Sequence, residues 1–206
     1  MRVAVVGGTG PFGKALAMRL REAGLDVVVG SRDPDRAAAT ASELGVDGAT
    51  NDEAVAGADL VVLAVNADAA LDTARKLRKA IGATPVLSVA SDLRFTPDGV
   101  VVAIDRMSLA ERIQKELKAP VVAGLHSLAA SNLGAAARPD EDALVCGDDP
   151  DAKALALELA GRVISGHALD AGPLASARTL EGLTAVIVNV NKRYRVHAGI
   201  RVTGID

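Results

Sequence analysis

The stretch Gly7-Gly8-Thr9-Gly10-Pro11-Phe12-Gly13 constrains this chain more than any other. Ahead of it lies Val3-Ala4-Val5-Val6, a short unbroken apolar run suited to a strand buried on both faces. Behind it, Lys14 to Ala23 reads as a helix with Ala15, Leu16, Leu20 and Ala23 on one face. Gly8, Gly10 and Gly13 supply G-x-G-x-x-G spacing in the strand–turn–helix setting where that spacing has meaning. In this reading Gly8 permits the tight turn, Gly10 lets a pyrophosphate approach the backbone, and Gly13 lets helix and strand pack closely. Pro11 suits the first helical turn, where its missing N–H costs nothing. The free N–H groups and positive dipole end of the helix then face phosphates, with Thr9 and Phe12 completing the loop. The bland alternative is a tight turn that holds no ligand.

The second strand, Leu25 to Val29, bears on which dinucleotide is held. An NAD-preferring site usually ends this strand in an acid that accepts from the ribose 2′-OH. Here Gly30 and Ser31 stand in that place, followed by Arg32 and, four residues on, Arg36. Guanidinium groups present paired planar donors that fit phosphate oxygens, so both arginines are expected on a 2′-phosphate, with Ser31 and Thr9 as hydroxyl donors. Against this, Asp33-Pro34 has the look of a helix cap, and Arg36 is within reach of pairing with Asp33 or Asp35.

Further along, the chain alternates. Helices are expected over Pro34 to Leu44, Ala67 to Ile81, Ser108 to Lys118, Asp151 to Val163 and Leu174 to Tyr194, with a helical turn over Asn51 to Ala56. Strands are expected over Ala58 to Val65, Thr84 to Val89, Pro120 to Leu125, around Leu144-Val145 and over His167 to Asp170, with a short apolar run at Val100 to Ile104. Ala90 to Gly99 reads as a loop, and the tail His197 to Asp206 as extended. Strand–helix alternation predicts an α/β fold of the Rossmann type. Its doubly wound, mostly parallel sheet would carry a C-terminal helical and extended extension. Asn66, Ala90 and His126 then fall at strand carboxyl ends, on the side where such sheets bind ligands.

Composition narrows the function. Phe12, Phe95 and Tyr194 are the only aromatic residues, so a flat ligand must lie against aliphatic walls, backbone or another ligand. A net charge of −3 without a basic stripe argues against nucleic acid. One cysteine, Cys146, excludes an internal disulfide framework and fits a reducing cytoplasm. No membrane-spanning run or signal peptide is visible, and no HExxH, paired-Cys or Ser-His-Asp pattern suggests metal or nucleophilic catalysis. The cations Lys192, Arg193 and Arg195 read either as helix C-terminal charges or as contacts for an anionic ligand tail.

The residues resemble a known family, the NADP-dependent oxidoreductases of the deazaflavin coenzyme F420, over nearly the whole chain. The quotable parts are Met1 to Gly10 with Gly13-Lys14, Val28 to Arg32, Leu125-His126-Ser127, Val145-Cys146-Gly147-Asp148-Asp149, and Leu169 to Leu174 with Ser176 and Arg178. The resemblance implies that Thr9, Ser31, Arg32 and Arg36 hold the 2′-phosphate of NADP(H). It implies that the deazaflavin lies over the nicotinamide, between the loops after the third and fourth strands (Asn66, Ala90) and the stretch matching His126 and Ser176 to Arg178. It also implies a homodimer and reversible hydride transfer between nicotinamide C4 and the deazaflavin's central ring.

A hydride passing between stacked rings asks mainly for orientation and water exclusion. His126 and Arg178 are the candidate catalytic residues, the first orienting a ring substituent and the second favouring charge on the reduced deazaflavin. Two loops depart from the family pattern: Asn66-Ala67-Asp68-Ala69 replaces a Pro-aromatic stretch, and Ala90-Ser91-Asp92 is less apolar than usual. Reduction of another flat substrate such as a pterin, or a non-catalytic NADP(H)-binding role, stays open at this point. A single unit is expected, with residues 1–126 as the dinucleotide-binding core and 127–206 completing the cleft.

Overall fold

The computed structural model describes residues 1–103 and 105–205, so the Ile104 end of the short apolar run and Asp206 of the tail lie outside the described residues. The strands are β1 (Arg2–Val6), β2 (Asp26–Ser31), β3 (Asp47–Thr50), β4 (Leu60–Leu63), β5 (Val86–Ser88), β6 (Leu93–Thr96), β7 (Gly99–Val102), β8 (Val121–Gly124), β9 (Ala143–Gly147) and β10 (Ala168–Asp170). The helices are α1 (Pro11–Glu22), α2 (Pro34–Leu44), α3 (Asn51–Val55), α4 (Ala67–Ile81), α5 (Leu109–Glu116), α6 (Ala130–Leu133), α7 (Pro150–Val163) and α8 (Ala177–Tyr194). One 8-stranded sheet runs in the order β10-β9-β8-β5-β4-β1-β2-β3. Its pairs are parallel except β8 with β9, so the last two strands run against the rest. Strand order reverses between β1 and β4, and the loops leaving those strands diverge to open a crevice.

The apolar run of β1 buries both its faces. Val3 and Val5 pack with Leu16 and Leu20 of α1 and Ala156 and Leu159 of α7. Ala4 and Val6 face the other layer, where Ala70, Ala74 and Leu77 of α4 meet Leu109 and Ile113 of α5 and Leu180 of α8. Each fully buried leucine contributes about 1.5–3 kcal/mol of transfer free energy, so the two layers hold the sheet from both sides. The caps at Asp33 and Ser108 match the sequence signals, and Thr50 adds one that was not expected. Asp33 accepts from the N–H groups of Asp35 and Arg36, with Pro34 in the first turn, and Gly45 ends α2 at φ 65°. Thr50 with Glu53, and Ser108 with Glu111, form capping boxes. Cys146 is fully buried, and burial pushes its thiol up to about 12, which makes it an inert core residue.

Several local expectations change. Helix α1 begins at Pro11 rather than Lys14, because Pro11 itself occupies the first turn. The stretch read as a loop, Ala90 to Gly99, contains β6, which pairs antiparallel with β7 in a separate 2-stranded sheet. Edge strand β3 was not expected, since Asp47-Gly48-Ala49-Thr50 carries no apolar alternation. It pairs with β2, and a Cβ on Gly48 would stand 2.6 Å from the Ala37 carbonyl oxygen. The long C-terminal helix divides into a 3-10 turn, Leu174–Ser176, and α8 proper. Among the described residues, no helix is long and apolar enough to cross a membrane.

Candidate active site

The Gly-rich turn is held from below by the second strand. The Gly30 carbonyl accepts from both Gly7 N and Gly8 N at 3.1 Å, and Gly10 N donates to the Gly7 carbonyl at 3.0 Å. The left-handed conformation falls on Gly7 (φ 81°), while Gly8, expected to permit the tight turn, closes it by donating its N–H to the Val5 carbonyl at 3.0 Å. Gly8 is needed for a different reason, since a Cβ there would meet Val29 Cγ1 and the Val5 oxygen at 2.9 Å. At Gly13 a Cβ would stand 2.5 Å from the Gly7 oxygen and 2.8 Å from Gly8 Cα. At Gly10 nothing of the protein comes closer than 3.4 Å, which leaves that side free for a ligand. Gly10 caps α1 without a side-chain bond, so the helix presents uncapped N–H groups to the crevice. Gly13→Val therefore forces backbone apart, and the expected loss is about 1–3 kcal/mol in urea denaturation together with NADPH binding. A variant of unchanged stability and affinity would contradict the packing role.

A groove of about 550 Å³ runs from this turn past Thr9, Gly10, Ser31, Arg32, Arg36, Asn51 and Asn66. Arg32 and Arg36 are exposed, and among the described residues neither takes part in an ion pair, so the alternative pairing of Arg36 with Asp33 or Asp35 does not form. Ser31 is buried, its hydroxyl accepting from Asp33 N at 3.2 Å. Asn51, at the start of α3, sequence reasoning missed. It lines this groove and the adjoining space beside α4, its Oδ1 is buried with no hydrogen-bond partner, and it stands over Gly30, whose Cβ would lie 2.9 Å from that oxygen. A solitary Asn at a helix start carries no sequence signal for such a place.

A second cleft, about 400 Å³, shares Gly10, Ala64, Val65 and Asn66 with the first groove. Its other walls include Pro11, Phe12, Ala90, Leu93, Leu125, His126 and Leu128, and it is largely aliphatic. Leu125, just past β8, is buried and holds φ 62°, a conformation costly for a branched side chain and found where a site over-determines the backbone. The next residue, His126, is buried, and burial pushes its imidazole down to about 4, so the ring is neutral at pH 7. Ser91 Oγ lies 3.4 Å from His126 Nδ1 and 2.9 Å from Thr184 Oγ1, and Thr184 Oγ1 donates to the His126 carbonyl at 2.9 Å. With one proton per hydroxyl, this ring closes when Nδ1–H donates to Ser91 and Ser91 donates to Thr184. Nε2 is buried and has no hydrogen-bond partner among the described residues. Thr184 is the second residue the sequence reading missed, because only folding carries α8 back across the sheet to Ser91.

Ser176 and Arg178 line neither groove. Both sit at the start of α8, where Arg178 stands near Asp105, whose carboxyl is held low by the Met107 N–H first and then by Arg112 and Arg178. Three residues on, Glu181 is buried and accepts from Leu109 N at 2.7 Å at the start of α5, and burial pushes it up to about 7. Among the described residues, no group of three His, Cys, Asp or Glu side chains is placed to hold a metal ion.

Residues 2–92 match the family model described as NADP oxidoreductase, coenzyme F420-dependent. The F420-dependent NADP reductase of Methanothermobacter thermautotrophicus is 36% identical over 222 residues, spanning 100% of this chain and 96% of the relative. The enzyme of the same name from Methanocaldococcus jannaschii is 29% identical, with 100% of both chains covered. Among solved structures, a protein of Arthrobacter sp. FB24 provisionally assigned as an F420-dependent NADP-reductase superposes with a TM-score of 0.86 at 25% identity. That match covers 98% of this chain and 99% of the other. A pyrroline-5-carboxylate reductase of Coxiella burnetii shares the fold (TM-score 0.66, 18% identity), covering 94% of this chain and 65% of its own.

Proposed function

The chain belongs to the family of coenzyme F420-dependent NADP oxidoreductases, and on that premise we propose that it transfers a hydride reversibly between NADP(H) and coenzyme F420. The nicotinamide carries the hydride at C4 when bound, and one ring is oxidised as the other is reduced. The protein's share is to bind, orient and keep out water. The observation that carries the proposal is the continuity of two unlike spaces: a phosphate-type cradle of bare N–H groups and exposed arginines opens, through Gly10 and Val65, into an aliphatic-walled cleft.

The roles follow from that arrangement. Gly8, Gly10, Pro11, Phe12, Gly13 and the uncapped start of α1 take the pyrophosphate. Thr9, Ser31, Arg32 and Arg36 take the 2′-phosphate. Asn66 and Ala90 flank the place where two flat rings would stack against Val65, Leu125 and Leu128. His126, neutral and tied to Ser91 and, through its carbonyl, to Thr184, positions the cleft wall against which a ring lies and does not move a proton. Ser176 and Arg178 stand outside the cleft lining, so the stacked rings are held without them. We further propose a cytoplasmic homodimer, with residues 1–126 as the nucleotide-binding part and 127–206 completing the cleft. The apolar residues Leu183, Val186, Ile187 and Val190 of α8 are the candidate interface, and of these Val186 is 57% exposed while Ile187 is buried, so only part of that face is available. Light scattering at twice the monomer mass is the expected outcome.

The test of activity mixes the protein with NADPH and oxidised F420 and follows the deazaflavin's visible absorbance. Decay with NADPH and little with NADH is expected. No decay with either nucleotide would overturn the proposal, and decay only when a pterin replaces F420 would reassign the second substrate.

A further inference from the structure

Helix α8 reaches the cleft wall at Thr184, which is bonded to Ser91 and to the His126 carbonyl. Five residues along, about 7.5 Å further up the helix at 1.5 Å per residue, Asn189 grips a different element. Its Oδ1 accepts from Val100 N at 2.8 Å and its Nδ2 donates to the Val100 carbonyl at 2.8 Å. That pair is what a neighbouring strand would offer to β7, so one side chain completes the strand's outer edge. The inner edge pairs with β6, with Leu93 opposite Val102 and Phe95 opposite Val100. Leu93 and, two residues before it, Ser91 both line the second cleft.

Beyond its own pairing the hairpin rests on α8, with Val100 buried. It forms a 2-stranded sheet apart from the main one, and such hairpins are marginal by themselves. Phe95 is 68% exposed, with Lys192 Nζ of α8 standing 5.2 Å from its ring centroid. Gly99 is adapted to the clamp: its φ is 142°, and a Cβ there would stand 2.8 Å from Asn189 Oδ1.

We propose that Asn189 is a positioning residue of the second-substrate cleft, clamping β7 so that β6 holds Leu93 against the bound ring. The proposal rests on the reading that this cleft takes the deazaflavin. Asn189 acts through the hairpin and is not among the residues lining the nucleotide groove, which predicts a selective defect. Asn189→Leu keeps the shape and removes both bonds. Asn189→Asp keeps the acceptor but turns a second oxygen towards the Val100 carbonyl.

In steady-state assays with the full chain, both variants are expected to raise KM for oxidised F420 about fivefold or more, with kcat changed less. NADPH affinity, read by nucleotide fluorescence without F420, is expected to stay within about twofold. Amide exchange in residues 93–102 is expected to quicken about tenfold or more, with α7 unchanged. Asn189→Gln, which keeps both groups on a longer stem, should recover part of the KM. Faster hairpin exchange with an unchanged KM would make Asn189 purely structural and overturn the proposal. So would equal losses for F420 and NADPH with a lowered Tm. A native chain that never reduces F420 would overturn the functional reading and, with it, this one, whereas normal native turnover beside unaffected variants overturns this one alone.

Discussion

Replacing Arg32 and Arg36 together by alanine is expected to weaken NADPH binding at least about tenfold, and towards several hundredfold, while NADH binding moves by no more than about twofold. Each guanidinium that donates to a phosphate contributes about 1.5–3 kcal/mol, and the lower bound allows for water replacing part of it. The two side chains are exposed, form no ion pair among the described residues and line the groove beside Ser31, so they have little to lose in the free protein. Stability should therefore be unchanged, and a thermal melt is the control. NADH lacks the 2′-phosphate and meets neither group. Titration by fluorescence or calorimetry, with both nucleotides on both proteins, decides the matter. Equal losses for NADPH and NADH would refute the 2′-phosphate assignment.

The stability of Glu181→Gln relative to the native chain is expected to rise by about 3 kcal/mol between pH 4.5 and pH 8. Glu181 is 1% exposed, and burial, with the Asp92 carboxylate adding to it, pushes its pKa from 4.5 to about 7 against the N–H donors of Leu109 and Ala110. A raised folded value means that the native state holds a proton the unfolded chain has lost. The favourable contribution is full below pH 4.5 and gone once pH rises through about 7. Glutamine keeps an acceptor for Leu109 and never ionises, so its contribution does not vary. His126 works in the opposite sense, because burial moves it from 6.5 down to about 4. Its contribution is full above pH 6.5 and is lost as pH falls towards 4, when the unfolded imidazole protonates and the folded one does not. In the native chain the two offset each other between pH 4.5 and 6.5, and removing Glu181 exposes the histidine's slope. Urea denaturation at several pH values reads this directly, and a flat difference between variant and native chain would count against the buried carboxyl.

The cofactor half of the site was legible because its chemistry is local. Gly10, Ser31, Arg32 and Arg36, which the fold brings to one groove, lie within a single strand–helix–strand unit, where spacing alone places them side by side. Spacing did not single out Gly7, because Gly7 and Gly8 are adjacent and only the dihedral angle separates a turn requirement from a packing one. The second half was less legible. Residues matching a family motif, Ser176 and Arg178, fall outside the cleft lining, whereas Thr184 and Leu93 lie in it unannounced.

From its sequence alone the chain is a doubly wound α/β protein with an NADP-type turn, since buried apolar strands, capped helices and a Gly-rich loop are short-range features that solvent and sterics impose on any such stretch. Tertiary structure alone decided the rest: that Leu125 is held at positive φ, that Ser91, His126 and Thr184 close a ring, and that Asn189 grips β7. The contacts of those rings and clamps join residues 35 to 93 positions apart. No local periodicity encodes such pairings, because they form only when the sheet brings its strand ends together and lays α8 across them.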